Sequence, residues 1–263
     1  MKKQDPIGIF DSGVGGTSIW KEIHELLPHE NTIYLADSKN APYGYKTAEE
    51  ITLLSIKNTD ALLKMGCKII VVACNTATTN AITTLRSKYQ VPIIGIEPAI
   101  KPAALKTQTK SIGILATKGT LSSILFNKTS SEFAKDVSVL EIVGEGLVPL
   151  IEEGKLESQE MYNLLKKYSE KLIAANIDYL VLGCSHYPYI VSQLQAMLPN
   201  HVTIIDSGEA VARQTKSLLE KHDLLNDPVL KPRLKFYTNA KKDTLSLLLS
   251  EFSEIISVEK KDF

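Results

Sequence analysis

The sequence predicts an α/β fold in which two similar parallel-sheet lobes are related by a pseudo-two-fold axis. Three observations support this prediction. Short β-branched runs alternate with longer amphipathic stretches along all 263 residues, several of these runs are apolar throughout, and segments of the first half recur in the second half. Alternating strands and helices are typical of parallel sheets joined by crossover helices. Wholly apolar strands are typical of sheets that are covered on both faces.

The elements follow from these patterns in chain order. The predicted strands cover residues 6–10, 31–36, 68–73, 91–96, 110–116, 137–143, 178–183, 202–206 and 233–238. The predicted helices cover residues 17–27, 47–66, 76–90, 98–107, 119–135, 157–175, 187–199, 208–222 and 242–253. Residues 69–72 and 179–182 contain only aliphatic and aromatic side chains, which indicates strands at the centre of a sheet.

An internal repeat predicts the two lobes. Residues 7–12 resemble 112–117, residues 71–75 resemble 181–185, and residues 91–94 resemble 202–205. The three matches occur in the same order with nearly constant spacing, which is harder to attribute to chance than any single match. We therefore predict a first lobe made of residues 1–98 plus 209–263 and a second lobe made of residues 99–208.

Composition excludes several classes of protein. The chain has 30 Lys and Arg residues and 30 Asp and Glu residues, so no excess of positive charge would attract nucleic acid or an anionic membrane. No apolar stretch approaches the roughly 18 residues that a membrane-spanning helix needs. The first residues run into a predicted strand without a small-residue cleavage site, so we expect a cytoplasmic protein.

The three cysteines have to be judged singly, because their spacing matches neither a disulfide scaffold nor a zinc site. Cys74 and Cys184 each end a predicted buried strand at matched points of the repeat. Ligands of open α/β sheets bind at the carboxyl ends of strands, so both thiols are predicted to face one cleft. The alternative is a buried cysteine without chemistry, which is ordinary for one cysteine and less so for a matched pair. Cys67 has no counterpart and is predicted to be core.

Two thiols across one carbon could invert that centre, one acting as base and the other as acid. A free thiol has a pKa of about 8.5, and helix N-termini lower that value. We expect such helices here, because Asn75 or Thr76 and Ser185 are good N-cap residues. Asp11 and His186 lie close enough in sequence to assist as proton carriers, although a turn residue and a solvent-facing helix start are the plain alternatives.

Two glycine-containing segments are candidate ligand cradles. Residues 11–18 join a strand to a helix, where backbone amides could bind a carboxylate. Residues 41–44 form a turn that allows close approach of a ligand. A nucleotide-binding oxidoreductase is the alternative of a different class, because the glycine-containing turn is followed by Asp37 at the end of the next predicted strand. However, Ser18 occupies the third glycine position of the dinucleotide fingerprint. A non-catalytic two-lobed binding protein would leave the cysteines unexplained.

Taken together, the sequence resembles the glutamate racemases of the aspartate/glutamate racemase superfamily over almost its whole length. The resemblance is carried by residues 11–16, 42–44, 72–77, 148–152 and 183–188. It implies cofactor-independent racemisation of glutamate, without pyridoxal phosphate or metal, supplying D-glutamate for peptidoglycan. Aspartate racemase of the same superfamily is the close alternative. The resemblance implies a small-molecule substrate and neither nucleic acid nor membrane as partner, and it leaves a homodimer open.

The resemblance also assigns roles to residues. It implies that Cys74 and Cys184 act on opposite enantiomers, that Asp11 and His186 assist them, and that Glu152 helps in the second half-site. The residues implied to hold the substrate are Asp11, Ser12, Tyr43, Gly44, Asn75, Thr76, Thr120, Ser185 and His186. No metal ligand is predicted.

Overall fold

The computed structural model describes residues 1–229 and 231–263 and contains two separate parallel β-sheets. The strands of the first sheet are β1 (Ile7–Asp11), β2 (Thr32–Ala36), β3 (Ile69–Val72), β4 (Ile93–Gly95), β9 (Leu234–Thr238) and β10 (Ile256–Lys260). Those of the second are β5 (Ser111–Ala116), β6 (Ser138–Val143), β7 (Tyr179–Gly183) and β8 (Thr203–Ile205). The predicted fold class, two parallel-sheet lobes, is confirmed.

The strand order confirms the internal repeat. The first sheet has the order β10-β9-β2-β1-β3-β4 and the second has the order β6-β5-β7-β8. The four strands β2-β1-β3-β4 therefore correspond one to one with β6-β5-β7-β8. Register corresponds as well, because Ile7 pairs with Ile69 in the first sheet and Ile112 pairs with Tyr179 in the second. The predicted lobe boundaries at 98/99 and 208/209 fall between these groups of strands and stay a prediction.

Eleven α-helices connect the strands within the described residues. They are α1 (Thr17–Leu26), α2 (Ala48–Lys64), α3 (Asn75–Lys88), α4 (Ile100–Lys106), α5 (Lys118–Leu121), α6 (Ile124–Phe133), α7 (Leu147–Glu152), α8 (Gln159–Ala174), α9 (Val191–Met197), α10 (Gly208–Lys221) and α11 (Asp243–Leu248). Short 3₁₀ turns cover Ser38–Asn40, Tyr43–Tyr45, Tyr187–Ile190 and Ser250–Phe252. The start of α2 shows why a helix begins there, since Thr47 and Glu50 form a reciprocal capping box.

The structure corrects three of the predicted helices. The predicted helix 119–135 is two helices, because the Ser123 side chain accepts a hydrogen bond from the Phe126 amide and starts α6. The predicted helix 187–199 begins as a 3₁₀ turn around Pro188, and the predicted helix 242–253 ends in another 3₁₀ turn. The predictions also missed α7 and the edge strand β10, which are short and have no strong periodic pattern.

The central strands of each sheet, β1 and β3 in the first and β5 and β7 in the second, are buried almost completely. In β3, every residue from Ile69 to Val72 is buried, which explains its uninterrupted apolar sequence. Burial of these apolar strands fixes the positions of their ends, and it therefore also fixes the positions of the residues that directly follow them. None of the helices in residues 1–229 and 231–263 is both long enough and apolar enough to span a membrane.

Candidate active site

The two cysteines of the repeat line the same cavity. Cys74 follows β3 and Cys184 follows β7, strands that hold equivalent positions in their sheets. Both thiols are free and buried. The lining of the cavity consists of Ser12, Pro42, Tyr43, Gly44, Cys74, Asn75, Thr76, Thr117, Val148, Cys184, Ser185 and His186.

Cys67 lies away from this cavity. It is buried under the first sheet, where a Cβ atom added to Gly8 would lie 2.8 Å from its sulfur. Burial, with a smaller contribution from Asp5, raises the pKa of Cys67 to about 12. This cysteine is therefore a packed, protonated core residue, as its lack of a repeat partner predicts.

Cys74 is itself the N-cap residue of α3, so the expectation that Asn75 or Thr76 caps this helix is wrong. Its sulfur accepts a hydrogen bond from the Ala77 amide at 3.4 Å and donates one to the Ser12 hydroxyl at 3.5 Å. Burial, aided by the Asp11 carboxylate, raises the pKa of Cys74 well above its ordinary value, because these hydrogen bonds offset only part of the rise. The expected lowering by the helix N-terminus is thus outweighed.

Cys184 is placed differently. The chain after it turns at Ser185 and enters the 3₁₀ turn Tyr187–Ile190, whose N-cap residue is His186 and lacks a side-chain cap. The expectation that Ser185 caps a helix is therefore wrong. Instead, the Ser185 hydroxyl donates to the Asp11 carboxylate at 3.3 Å. The sulfur of Cys184 lies 3.7 Å from Nδ1 of His186.

His186 is buried, so it is not the solvent-facing residue that the plain reading allowed. Its Nε2 lies 2.6 Å from Oε1 of Glu152, the last residue of α7. Burial by itself lowers the pKa of His186. The contacts with Cys184 and Glu152 outweigh burial, and the pKa lies well above its ordinary value. The neighbouring thiol and carboxylate therefore favour the protonated form of the ring.

The glycines of the segment 11–18 make room for this arrangement. A Cβ atom on Gly13 would lie 1.8 Å from the Glu152 carboxylate, and one on Gly15 would lie 2.2 Å from the His186 ring. The Val14 amide donates to Glu152 at 2.7 Å. This amide of the predicted anion cradle thus binds a carboxylate of the protein itself.

Asp11, at the end of β1, is fully buried beside both cysteine loops. Its Oδ2 accepts the Gly16 amide at 2.8 Å, and its Oδ1 accepts the Ser12 and Ser185 hydroxyls at 3.4 and 3.3 Å. Burial raises the pKa of Asp11 above its ordinary value, although the nearby His186 and the Gly16 amide oppose the rise. Asp11 does not line the cavity, and it reaches both sides of it through these two serines.

The Asn75 side chain is the most direct indication of a ligand. Its Oδ1 and Nδ2 atoms are both buried, and neither has a hydrogen-bond partner. Leaving a buried polar group unpaired costs about 1–3 kcal/mol. Because Asn75 lines the cavity, a polar ligand there would supply the missing partners.

Three threonine hydroxyls meet across the cavity rim. Thr76 lies 2.8 Å from Thr117 and 3.2 Å from Thr120, measured between the Oγ1 atoms. Thr120 does not line the cavity and contacts it through this cluster. Thr117 does line it, and sequence reasoning missed this residue. The signal was present, because Thr117 aligns with Ser12 in the repeat.

Tyr43 and Gly44 line the cavity and are the first two residues of the 3₁₀ turn Tyr43–Tyr45. The Tyr43 hydroxyl points away from the cavity and donates to Asp37 at 2.5 Å. The backbone amides remain for a ligand, because the first amides of a helical turn have no partner inside that turn.

Each lobe brings a buried thiol to one cavity, and an imidazole ring lies beside one of the two thiols, so the site is suited to acid–base chemistry on both faces of a single centre. The chain belongs to the Asp/Glu/hydantoin racemase family, whose model matches residues 7–215. This membership confirms the racemase class and rules against the alternative of a nucleotide-binding oxidoreductase.

Within this family the similar proteins are glutamate racemases. The glutamate racemase of Ectopseudomonas mendocina is 48% identical over 225 residues, which are 85% of this chain and 86% of that protein. The crystal structure of a glutamate racemase isoform from Bacillus anthracis has a TM-score of 0.88 at 30% identity, covering 99% of this chain and 98% of that one. The Francisella tularensis glutamate racemase in complex with D-glutamate has a TM-score of 0.83 at 27% identity, covering 99% and 98%. The resemblance stated from the motifs is confirmed.

Proposed function

We propose that this protein interconverts L- and D-glutamate by a two-base reaction at Cys74 and Cys184. The observation that carries the proposal is that these two buried thiols, from matched strands of the two lobes, line one cavity. Inversion requires a base on one face of the α-carbon and an acid on the other. A pair of thiols held by a pseudo-two-fold fold supplies both groups, in either direction.

The proton inventory of each direction balances. In one direction the Cys184 thiolate takes the α-proton, the α-carbon carries the electron pair, and the Cys74 thiol returns a proton to the opposite face. In the other direction the two sulfurs exchange roles. Each turnover leaves the thiol and thiolate interchanged, so a proton must return to the first sulfur before the same direction can repeat.

The surroundings differ between the two sulfurs in a way that suits this scheme. The raised pKa of buried Cys74 favours its thiol form, which donates the proton in the first direction. The imidazolium of His186, 3.7 Å from the Cys184 sulfur, stabilises negative charge there. Glu152 holds the ring in place and balances its charge. We assign the return of protons to Asp11 on the Cys74 side and to His186 on the Cys184 side.

Groups around the cavity suit an amino acid with two carboxylates. We assign the carboxylates and the ammonium group to the hydroxyls of Ser12, Thr76 and Ser185, to the unpaired amide of Asn75, and to the Tyr43 and Gly44 amides. Thr120 acts through its contacts with Thr76 and Thr117. Glutamate is preferred over aspartate because the similar proteins are named glutamate racemases and one of them holds D-glutamate.

We place the enzyme in the cytoplasm, supplying D-glutamate for peptidoglycan. The chemistry supports this location, because both sulfurs must be reduced to exchange protons and cytosolic thiols are kept reduced.

The experiment incubates purified protein in deuterium oxide with L-glutamate, D-glutamate or L-aspartate, without added cofactor. We expect inversion of both glutamate enantiomers with uptake of one α-deuteron, and a much lower kcat/KM for aspartate. A higher kcat/KM for aspartate would assign the protein to the alternative substrate. Activity that is lost on exhaustive dialysis against a chelator and restored by metal would contradict a reaction carried by thiols alone.

A further inference from the structure

A buried carboxylate outside the reaction scheme lies behind the cavity wall. Asp37 follows β2 and is fully buried. Among the ion pairs of residues 1–229 and 231–263, none includes Asp37. Its carboxylate instead accepts four side-chain hydrogen bonds, from Tyr43 at 2.5 Å, Asn239 at 2.5 Å, Asn40 at 2.8 Å and Asn58 at 3.4 Å.

These four donors come from separate parts of the chain. Asn40 and Tyr43 belong to the two 3₁₀ turns after β2, Asn58 to α2, and Asn239 to the segment that follows β9. A buried charge needs hydrogen-bond donors, because each missing donor leaves part of the charge unsolvated. Asp37 therefore draws these segments together. Burial and the Asp37 charge both raise the pKa of Tyr43, so its hydroxyl stays protonated and keeps donating.

The Tyr43 bond connects this cluster to the active site. Tyr43 and Gly44 line the cavity beside Cys74, yet the Tyr43 hydroxyl is turned back to Asp37 and is also bonded by Asn58 at 3.1 Å. The other side of the turn is confined, because a Cβ atom on Gly44 would lie 3.0 Å from Thr117. The turn that lines the cavity is thus held from the opposite side by the hydrogen bond between Tyr43 and Asp37.

We propose that Asp37 is a positioning residue that sets the Tyr43–Gly44 turn against the substrate, so that the backbone amides of the turn meet one substrate carboxylate. The inference rests on the proposed function. Asp37 touches no reacting atom. Its action passes through the Tyr43 hydroxyl, and it supports binding that is the same in the ground state and the transition state. A defect should consequently appear in KM more than in kcat.

The test replaces Asp37 by asparagine, which keeps the shape but turns one acceptor oxygen into a donor facing other donors. We expect KM for both glutamate enantiomers to rise about 10- to 100-fold, since hydrogen bonds to charged groups contribute about 1.5–3 kcal/mol. We expect kcat to change by less than about threefold, because no interaction specific to the transition state is removed. Calorimetric titration with D-glutamate should give a parallel loss of affinity.

Tyr43→Phe removes the same bond from the other side while keeping the ring. Both substitutions remove the same hydrogen bond between Tyr43 and Asp37. The double variant should therefore raise KM by less than the product of the two single effects. Tyr89→Phe is the matched control, since the Tyr89 hydroxyl donates to Asp60 at 2.6 Å outside the cavity lining. It should lower stability by a similar amount and leave KM unchanged.

The outcomes separate this inference from the proposed function. If the wild-type protein does not racemise glutamate, the proposed function fails first. If it does, and Asp37→Asn changes KM no more than Tyr89→Phe, the positioning role is wrong. If Asp37→Asn does not fold, Tyr43→Phe decides, and an unchanged KM in that variant overturns the inference. Strictly multiplicative effects in the double variant would also overturn it.

Discussion

Oε1 of Glu152 lies 2.6 Å from Nε2 of His186, and it reaches the ring across the segment that contains Gly13 and Gly15. The opposite nitrogen of the same ring lies 3.7 Å from the Cys184 sulfur. On this side of the cavity the His186 ring therefore lies between the Cys184 thiol and the Glu152 carboxylate. The Cys74 side has no equivalent arrangement, because its sulfur is hydrogen-bonded to Ser12, which lies next to Asp11. The thiols are matched between the lobes, and their assistants are not.

The first prediction concerns the thiols. Cys74→Ser or Cys184→Ser replaces an ionisable thiol by a far weaker acid, so kcat for racemisation should fall by at least about 10²-fold. Cys67→Ser is the control, because this buried thiol lies outside the cavity. It should keep its activity and lose only some stability from altered packing. Steady-state racemisation by circular dichroism measures all three, and near wild-type turnover in Cys184→Ser would contradict the two-base reaction.

The second prediction separates Asp11 from His186. Asp11→Asn should mainly slow proton abstraction by Cys74, and His186→Asn should mainly slow abstraction by Cys184. A lost proton-handling partner typically costs about 10²–10⁴-fold in rate. Since the equilibrium between enantiomers cannot change, kcat/KM must fall equally in both directions, and the asymmetry has to appear in single-turnover exchange.

The measurement for these two variants is α-deuteron wash-in from each enantiomer before net inversion. Opposite enantiomer preferences in the two variants are expected. The same pattern in both variants would show that the assignment of one assistant to each thiol is wrong.

The third prediction concerns Thr117, which sequence reasoning missed. Thr117→Val removes a hydroxyl that lies 2.8 Å from Thr76 at the rim of the cavity. We expect KM to rise about 2- to 10-fold, as for loss of one neutral hydrogen bond. Thr117 also caps α5 through the Thr120 amide, so Thr117→Ser is the control that keeps the cap and the hydroxyl. Failure of the serine variant to restore KM would mean that shape, and not the hydroxyl, matters there.

The fourth prediction is a pH dependence of stability that His186 carries. Its pKa in the folded protein is raised above the ordinary value of 6.5, so the folded state holds this proton more tightly than the unfolded chain. The resulting stabilisation is complete below pH 6.5 and is lost as the pH rises through the folded pKa. Urea unfolding should thus show the free-energy advantage of wild type over His186→Asn shrinking as the pH increases. If the difference in free energy of unfolding between wild type and His186→Asn stays constant as the pH rises from below 6.5, the raised pKa of His186 is refuted.

Much of the fold was predictable, because it depends on patterns that are local in the sequence. The nine predicted strands all occur, since most of them are short apolar runs that are buried when the sheets form. The repeat predicted two similar lobes, and the pairs β1·β3 and β5·β7 have equivalent register in the two sheets. The short elements were missed because α7 and the edge strand β10 depend on tertiary contacts more than on their own periodicity.

The sequence by itself determined that two thiols would end matched strands of two lobes, because each cysteine follows an apolar run at the same point of the internal repeat. Only the tertiary structure decided what surrounds each thiol. Glu152 reaches His186 because α7 packs against the segment after β1, and Asp37 reaches Asn239 because β2 and β9 are neighbours in the first sheet. Burial raises the pKa of Cys74, although the helix N-terminus was expected to lower it. Desolvation and contacts between distant residues depend on how the whole chain packs. That packing cannot be inferred from residues that are adjacent in the sequence.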